Sequence, residues 1–248
     1  MDMQRFTIFP GLLALTLVAS AAMADPLAPA SARLTDETDR YPHNVLGGIP
    51  GRATLEVTLE NGTQLRHTLP DARVFEDIAP RLWDIDADGT PEIVTVESDQ
   101  SHGARLTAWA IENTGEGPRL HLRTAGEFIG RRFRWLAPLG IADFLGTGAP
   151  QIAYVAMPHL ARQLVIVAVE GARFVPVRTL DGVSNHRIGD EVITSTTRLC
   201  GTTTEIVVPS GDWRRILGIR FSSGQPVIRD LGRYRAQTGL EGLPPCAE

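Results

Sequence analysis

Beyond residue 50 the chain is a succession of short apolar, β-branched runs. Gly, Pro, Asn and Asp separate them, which is the pattern of strands rather than helices. The runs recur. Glu92-Ile93-Val94-Thr95-Val96, Gln151-Ile152-Ala153-Tyr154-Val155 and Glu205-Ile206-Val207-Val208 are alike at offsets of 59 and 54 residues. A second set, Leu55–Leu59, Leu106–Ile111, Leu164–Val169 and Ile216–Phe221, starts at intervals of 51, 58 and 52. A third set follows at Leu65–Leu69, Leu120–Thr124, Phe174–Arg178 and Val227–Leu231. Leading strands are expected at Phe75–Trp83 and Phe133–Ile141, and Asn61-Gly62 is a hairpin turn. No helical period of ten or more residues appears in this region. The expectation is an all-β fold, a small β-propeller of about four four-stranded units, of which the first lacks a clear leading strand. A twisted sandwich of similar strands is the other reading. A ring must hide its edges, so Leu55–Leu69 is expected to pack beside Val192–Leu231.

The first residues follow a different pattern. Arg5, the apolar run Leu12–Ala19 and Ala22-Met23-Ala24 have the three parts of a secretory signal peptide, assigned to residues 1–24. A membrane anchor is the other reading; no later apolar run approaches a bilayer-spanning length, so no span is expected in the mature chain. Residues 25–39 mix Pro, Ala, Ser, Thr and acids and read as a flexible linker. The repeat domain is then 40–235 and the C-terminal tail 236–248. The mature protein is expected in the periplasm or secreted.

Composition narrows the chemistry. All 24 basic residues are Arg, which excludes a Walker-A loop, a pyridoxal Schiff base and a Lys nucleophile. HExxH, GxSxG and GxGxxG are absent from the sequence. A net charge of −5 argues against nucleic acid as a partner. Only two Cys occur, and export favours a disulfide between Cys200 and Cys246, which would pin the tail to the last unit.

The most informative segment lies between the first two strands of the second unit: Asp84-Ile85-Asp86-Ala87-Asp88-Gly89-Thr90-Pro91-Glu92. Carboxylates alternate at positions one, three and five, Gly permits a sharp turn, and Glu92 closes the loop. Like charges held this close call for a hard cation, and Ca²⁺ takes six to eight oxygens. An EF-hand needs Glu at position twelve, where this chain has Thr95. The DxDxDGxxE loop, followed by an Ile-Val strand, resembles FG-GAP/VCBS repeats. These occur in integrin α-subunit propellers and in many exported bacterial proteins. The resemblance spans roughly residues 40–235 and is sharpest at 73–113 and 132–170. It implies one structural Ca²⁺ held by Asp84, Asp86, Asp88, Thr90 and Glu92. The third-unit copy, Asp143 to Gln151, keeps the first Asp but replaces three ligand positions with Leu145, Thr147 and Gln151. The fourth, Arg198 to Glu205, keeps only the closing Glu.

Other candidates are weaker. His102-Gly103-Ala104-Arg105 and His159-Leu160-Ala161-Arg162 repeat an HxxR pattern, so His102, Arg105, His159 and Arg162 form a possible ligand rim. Arg131–Trp135 reads as a half-buried strand with Phe133 and Trp135 on one face. Asn185-His186-Arg187 and Asp212-Trp213-Arg214 are loop clusters. Two functions follow. One is an exported, non-enzymatic calcium-binding propeller whose rim loops bind a protein or carbohydrate. The other is an exported hydrolase or lyase acting on carbohydrate or phosphate ester at the propeller mouth. A structural or adhesion module is a third.

Overall fold

The computed structural model describes residues 25–246; the expected signal peptide lies outside them. The chain forms sixteen strands and no helix among the described residues. The first unit contains β1 (Pro29–Thr38), β2 (Gly51–Leu59), β3 (Gln64–Thr68) and the short β4 (Arg73–Phe75). The second is β5 (Arg81–Trp83), β6 (Glu92–Asp99), β7 (Gly103–Thr114) and β8 (Gly117–Ala125). The third is β9 (Leu136–Ala142), β10 (Gln151–Ala156), β11 (Gln163–Glu170) and β12 (Arg173–Asp181). The fourth is β13 (Thr196–Cys200), β14 (Thr203–Pro209), β15 (Arg215–Ser222) and β16 (Gln225–Arg233). The last three units are antiparallel meanders in chain order. Hydrogen bonds join the first three units into a twelve-stranded mixed sheet, while the fourth unit is a separate sheet. The link between units two and three is slight, one parallel pairing of Ala125 with Arg173.

Alternation along the second strand of each later unit explains the packing. In β6, Ile93 joins a core with Leu55, Val57, Leu59, Phe75 and Trp109. Its neighbours Val94 and Val96 point the other way, to Trp135, Leu136, Ile152 and Val167. In β10, Ile152 enters that same core, whereas Ala153 and Val155 meet Phe144, Leu164, Ile206 and Val208. In β14, Val207 faces outward onto Ile216, Leu231 and the tail residues Tyr234, Leu240 and Leu243. Each of these strands therefore buries both faces, which is why it reads as an unbroken apolar run. A fully buried Ile or Val side chain contributes about 1.5–3 kcal/mol.

The structure differs from the sequence expectation in four places. Residues 29–38, expected in the linker, are β1, paired with β2 from Ser31–Thr58 to Thr38–Gly51. Its apolar side is carried by the small or isolated Ala32 and Leu34, packed on the first core, so its alternation is faint. The leading strand Phe75–Trp83 is split into β4 and β5, both flanking β6. In the gap, Asp77 Oδ2 accepts the Val96 N–H at 2.8 Å in place of a ladder carbonyl. Arg131–Trp135 is a turn rather than a strand, with Phe133 at φ 58°. It is folded onto the β6–β7 hairpin, where the Ala104 N–H donates to Arg134 O at 2.8 Å. Gly103 (φ +76°) makes this approach possible, since a Cβ there would sit 2.2 Å from Arg131 O. Finally, Leu55–Leu69 does not pack beside the fourth unit. The first unit's core is shared with the second, and the outer face of the fourth is covered by the tail. Contact between the first unit and the approach to β13 is made by a loop, with the Gly189 N–H donating to Val45 O at 3.1 Å and the Gly48 N–H to Glu191 at 3.1 Å.

Candidate functional site

The acidic loop joins β5 to β6, where the register pairs Trp83 with Glu92. Its turn is built by its own side chains. Asp84 accepts the N–H groups of Asp88 and Gly89 at 3.1 and 2.9 Å, and Asp88 accepts that of Thr90 at 2.7 Å. Ala87 (φ 62°) and Gly89 (φ 91°) lie in the left-handed region that this tight path requires. Asp84, Asp86 and Asp88 each bring a carboxylate oxygen within 4.8 Å of the others. Glu92 is buried at the end of the loop and accepts the Ile85 N–H at 3.1 Å. Burial pushes its carboxyl above the usual range, and Asp86 and Asp88 push it further; the Ile85 N–H and Arg123 oppose them. Arg123, on β8, pairs with Asp86 and lies 3.4 Å from Glu92. Among the described residues it is the one arginine in an ion pair with any of the four carboxylates of the loop. The donors, four carboxylates and the Thr90 carbonyl, are all hard oxygens suited to Ca²⁺.

The third-unit loop repeats this frame and changes its centre. Asp143 accepts from Thr147 and Gly148 at 2.8 and 2.7 Å, the same two positions that Asp84 holds, and Gln151 Oε1 accepts the N–H of loop position three, Leu145, at 3.1 Å, where Glu92 accepts that of position two. There the Gln151 amide nitrogen donates to Thr147 Oγ1 at 2.7 Å, to Ala149 O, and toward Asp143 at 3.4 Å. Oxygens of loop positions one, five and seven thus converge on an N–H₂ group. Burial alone would raise the Asp143 carboxyl, but the Gly148 and Thr147 N–H groups and Gln151 bring it below the usual range. In the fourth unit the loop has shrunk to a two-residue turn between Cys200 and Thr203. Cys200 is bonded to Cys246 with Cα atoms 5.4 Å apart, and Glu205 pairs with Arg198 at 2.6 Å.

The four residues of the expected rim separate into two environments. His102 is exposed and bonds Asp99 at 2.9 Å; Arg105 grips the buried Glu97 at 2.9 Å and lies over Phe128. His159 instead stacks parallel to Trp135 and bonds His186 at 2.9 Å, and Arg162 sits in the adjoining turn at φ 54°. No hydrogen bond or ring contact joins the two pairs among the described residues.

His159 belongs to a centre that the sequence did not reveal. Tyr41 and His43 come from the β1–β2 loop, Glu76 from the β4–β5 gap, Trp135 from the entry to β9, and His159 and His186 from later loops. His43 Nδ1 lies 2.7 Å from Glu76, which also accepts the Ser98 hydroxyl at 2.6 Å, and Trp135 Nε1 donates to the Glu76 carbonyl at 2.8 Å. Burial and the Glu76 charge push the Tyr41 phenol up to about 12. Burial, then His186 and His43, bring His159 down to about 4, and burial lowers His186. Because Asp190 O can only accept, His186 carries its proton on Nε2, 2.9 Å away. Its Nδ1 then accepts from His159 Nε2, which leaves Nδ1 of a neutral His159 as a free lone pair. A cleft of about 430 Å³ lined by Tyr41, Asn44, Val45, Leu46 and Glu76 adjoins this centre. Ser184, Asn185 and His186 are buried together, but polar residue types give no sign of burial in a sequence, and the loops that gather the other members are too far apart in the chain to be matched by spacing.

No family model matches the chain, and no curated protein matches it in sequence. No helix among the described residues is long and apolar enough to cross a membrane.

Proposed function

We propose that the chain is an exported, non-enzymatic binding domain of FG-GAP/VCBS-like propeller type, holding one structural Ca²⁺ in the 84–92 loop. Asp84, Asp86, Asp88 and Glu92 supply carboxylates, and Thr90 a carbonyl. The observation that carries the reading is the convergence of the three aspartate oxygens in a frame whose third-unit copy is closed by a donor instead. A donor at the centre of one copy and four acids at the same place in the other is the contrast that a cation would create. The stacked meanders and the disulfide are in keeping with an exported repeat domain whose loops meet a protein or carbohydrate. The ion fixes a loop, and the partner is met elsewhere on the surface.

Calorimetric titration of the apo-protein tests this. One Ca²⁺ per chain is expected, with a rise in melting temperature; saturation at a hundred times Kd contributes about 2.7 kcal/mol to stability. Asp86→Ala should remove most of both effects. Absence of binding at millimolar Ca²⁺ overturns the assignment.

A further inference from the structure

At one end of the fourth sheet, arginines gather around an aromatic pair. Trp213 and Tyr234 meet edge to face at 5.0 Å, and the Arg187 guanidinium lies 4.3 Å over Trp213 and 5.4 Å from the Tyr234 centroid. A cleft of about 570 Å³ beside them is lined by Trp213, Arg214, Arg215, Arg233, Tyr234 and Arg235. The side chains of Arg187, Arg233 and Arg235 make no hydrogen bond or ion pair among the described residues. Arg214 reaches Asp212 only at 3.6 Å and is 83% exposed; Arg215 is paired with Asp230 at 2.6 Å. Five guanidiniums therefore face two carboxylates, a local excess of three positive charges on a chain of net charge −5.

The frame holding them is rigid. Trp213 has φ 61°, a left-handed conformation that is strained for a residue with a side chain and persists only where its surroundings impose it. They do so here. Ser210 Oγ donates to Asp212 at 2.6 Å and accepts the Arg215 N–H at 3.0 Å, Asp212 accepts the Arg214 N–H at 3.1 Å, and the Tyr234 N–H closes on Arg214 O at 3.0 Å. The aromatic faces orient Arg187 while leaving all its N–H groups unused. A planar fork preorganised in this way matches a carboxylate or sulfate through paired bonds.

We infer that this cleft binds an acidic polysaccharide, engaging successive carboxylate or sulfate groups with Arg187, Arg214, Arg233 and Arg235. Several separated, unpaired guanidiniums along an open cleft suit a chain that repeats its charge rather than a single anion. Arg187 covers one face of Trp213 and Tyr234 meets the ring edge to face, so the aromatic pair is engaged by protein groups rather than set out as a stacking platform for the bases of a nucleic acid. The inference gives a ligand class to the binding function proposed above and rests on that reading, but it does not use the calcium loop.

Calorimetric titration in EGTA with polygalacturonate oligomers, and with the same oligomers methyl-esterified, provides the test. The acid form should bind, losing about tenfold or more in affinity between about 50 and about 200 mM NaCl. The ester should not bind measurably. Arg233→Ser/Arg235→Ser, at exposed positions without partners, should weaken binding at least roughly tenfold, and Arg187→Leu likewise. Arg119→Ser, an exposed arginine paired with Glu112 on β8, should leave it unchanged. Equal binding of acid and ester, unaltered affinity in both cleft variants, or tighter binding of an oligothymidylate of equal charge would each overturn it. Because EGTA leaves the 84–92 loop unused, failure of the calcium titration and failure of this one are separate results.

Discussion

Breaking the Cys200–Cys246 bond tests how the last sheet is finished. The bond encloses a sequence separation of 46 residues. Closing a loop of that length in the unfolded chain costs about 4 kcal/mol by the chain-entropy argument, and loss of a native disulfide usually costs 2–5 kcal/mol. Other anchors remain in its absence. Arg198 donates to Pro244 O at 2.6 Å, Arg229 to Pro245 O at 3.0 Å, and Leu240 and Leu243 rest on Val207, Ile216 and Leu231. Cys246→Ser should therefore fold and lose about 2–4 kcal/mol. With a guanidinium slope of about 4–6 kcal/mol/M for a chain of this size, the midpoint should fall by roughly 0.4–1 M. Tryptophan fluorescence reads the transition close to the tail, because Trp213 packs against Tyr234. Alkylation before reduction should label no thiol in the wild type. A midpoint shift below about 0.2 M would refute the reasoning, for it would mean that the arginine and leucine contacts fix the tail unaided.

Three further outcomes follow from individual side chains. Arg123→Ala removes the cation facing Asp86 and Glu92, so without Ca²⁺ the variant should melt lower than wild type and with saturating Ca²⁺ the gap should narrow; differential scanning fluorimetry in both conditions checks it. Asp77→Ala leaves Arg81 and the Val96 N–H without the fully buried carboxylate they share, and should cost about 3–5 kcal/mol in urea unfolding. His159 titrates near 4 when folded, below its ordinary 6.5, so the unfolded chain binds more protons between those values. Its contribution to stability is therefore complete above about pH 6.5 and is lost as pH falls toward 4. The melting temperature should drop over that window, and His159→Gln should flatten the drop.

The strands of the later units were legible because two-sided burial writes a long β-branched run, as in Glu92–Val96 and Gln151–Val155. The turn between β5 and β6 was legible because one loop contains all its carboxylates. The disulfide followed from there being two cysteines. β1 was hidden because it is an edge strand whose inward positions are as small as Ala32. The break at Glu76–Pro80 was hidden because the Asp77 carboxylate stands in for a ladder carbonyl by accepting an N–H from Val96, which lies on β6, 19 residues further along the chain. The expected strand at Arg131–Trp135 failed because alternation there is accidental: Phe133 stacks on His43 from the β1–β2 loop, while Trp135 is drawn to Glu76. The His43–Glu76–His159–His186 centre lay beyond reach for the same reason, being assembled from loops that no period connects. The arginines of the Trp213 cleft come from the loop clusters at 185–187 and 212–214 and from the end of β16, and no spacing in the chain shows that they gather around one aromatic pair.

Sheets that bury both faces of their second strands have no built-in terminus: each finished layer is a template for the next. In this chain, growth ends at Val207, where a further sheet would belong and a short irregular segment lies instead. The tail acts as a stopper. Cys246 follows every described strand, and its bond to Cys200 fastens the tail to the first strand of the last sheet. The bond therefore does more than strengthen the fold: together with the Leu240 and Leu243 contacts it holds in place the cover of an apolar face that would otherwise be open to other copies of the chain.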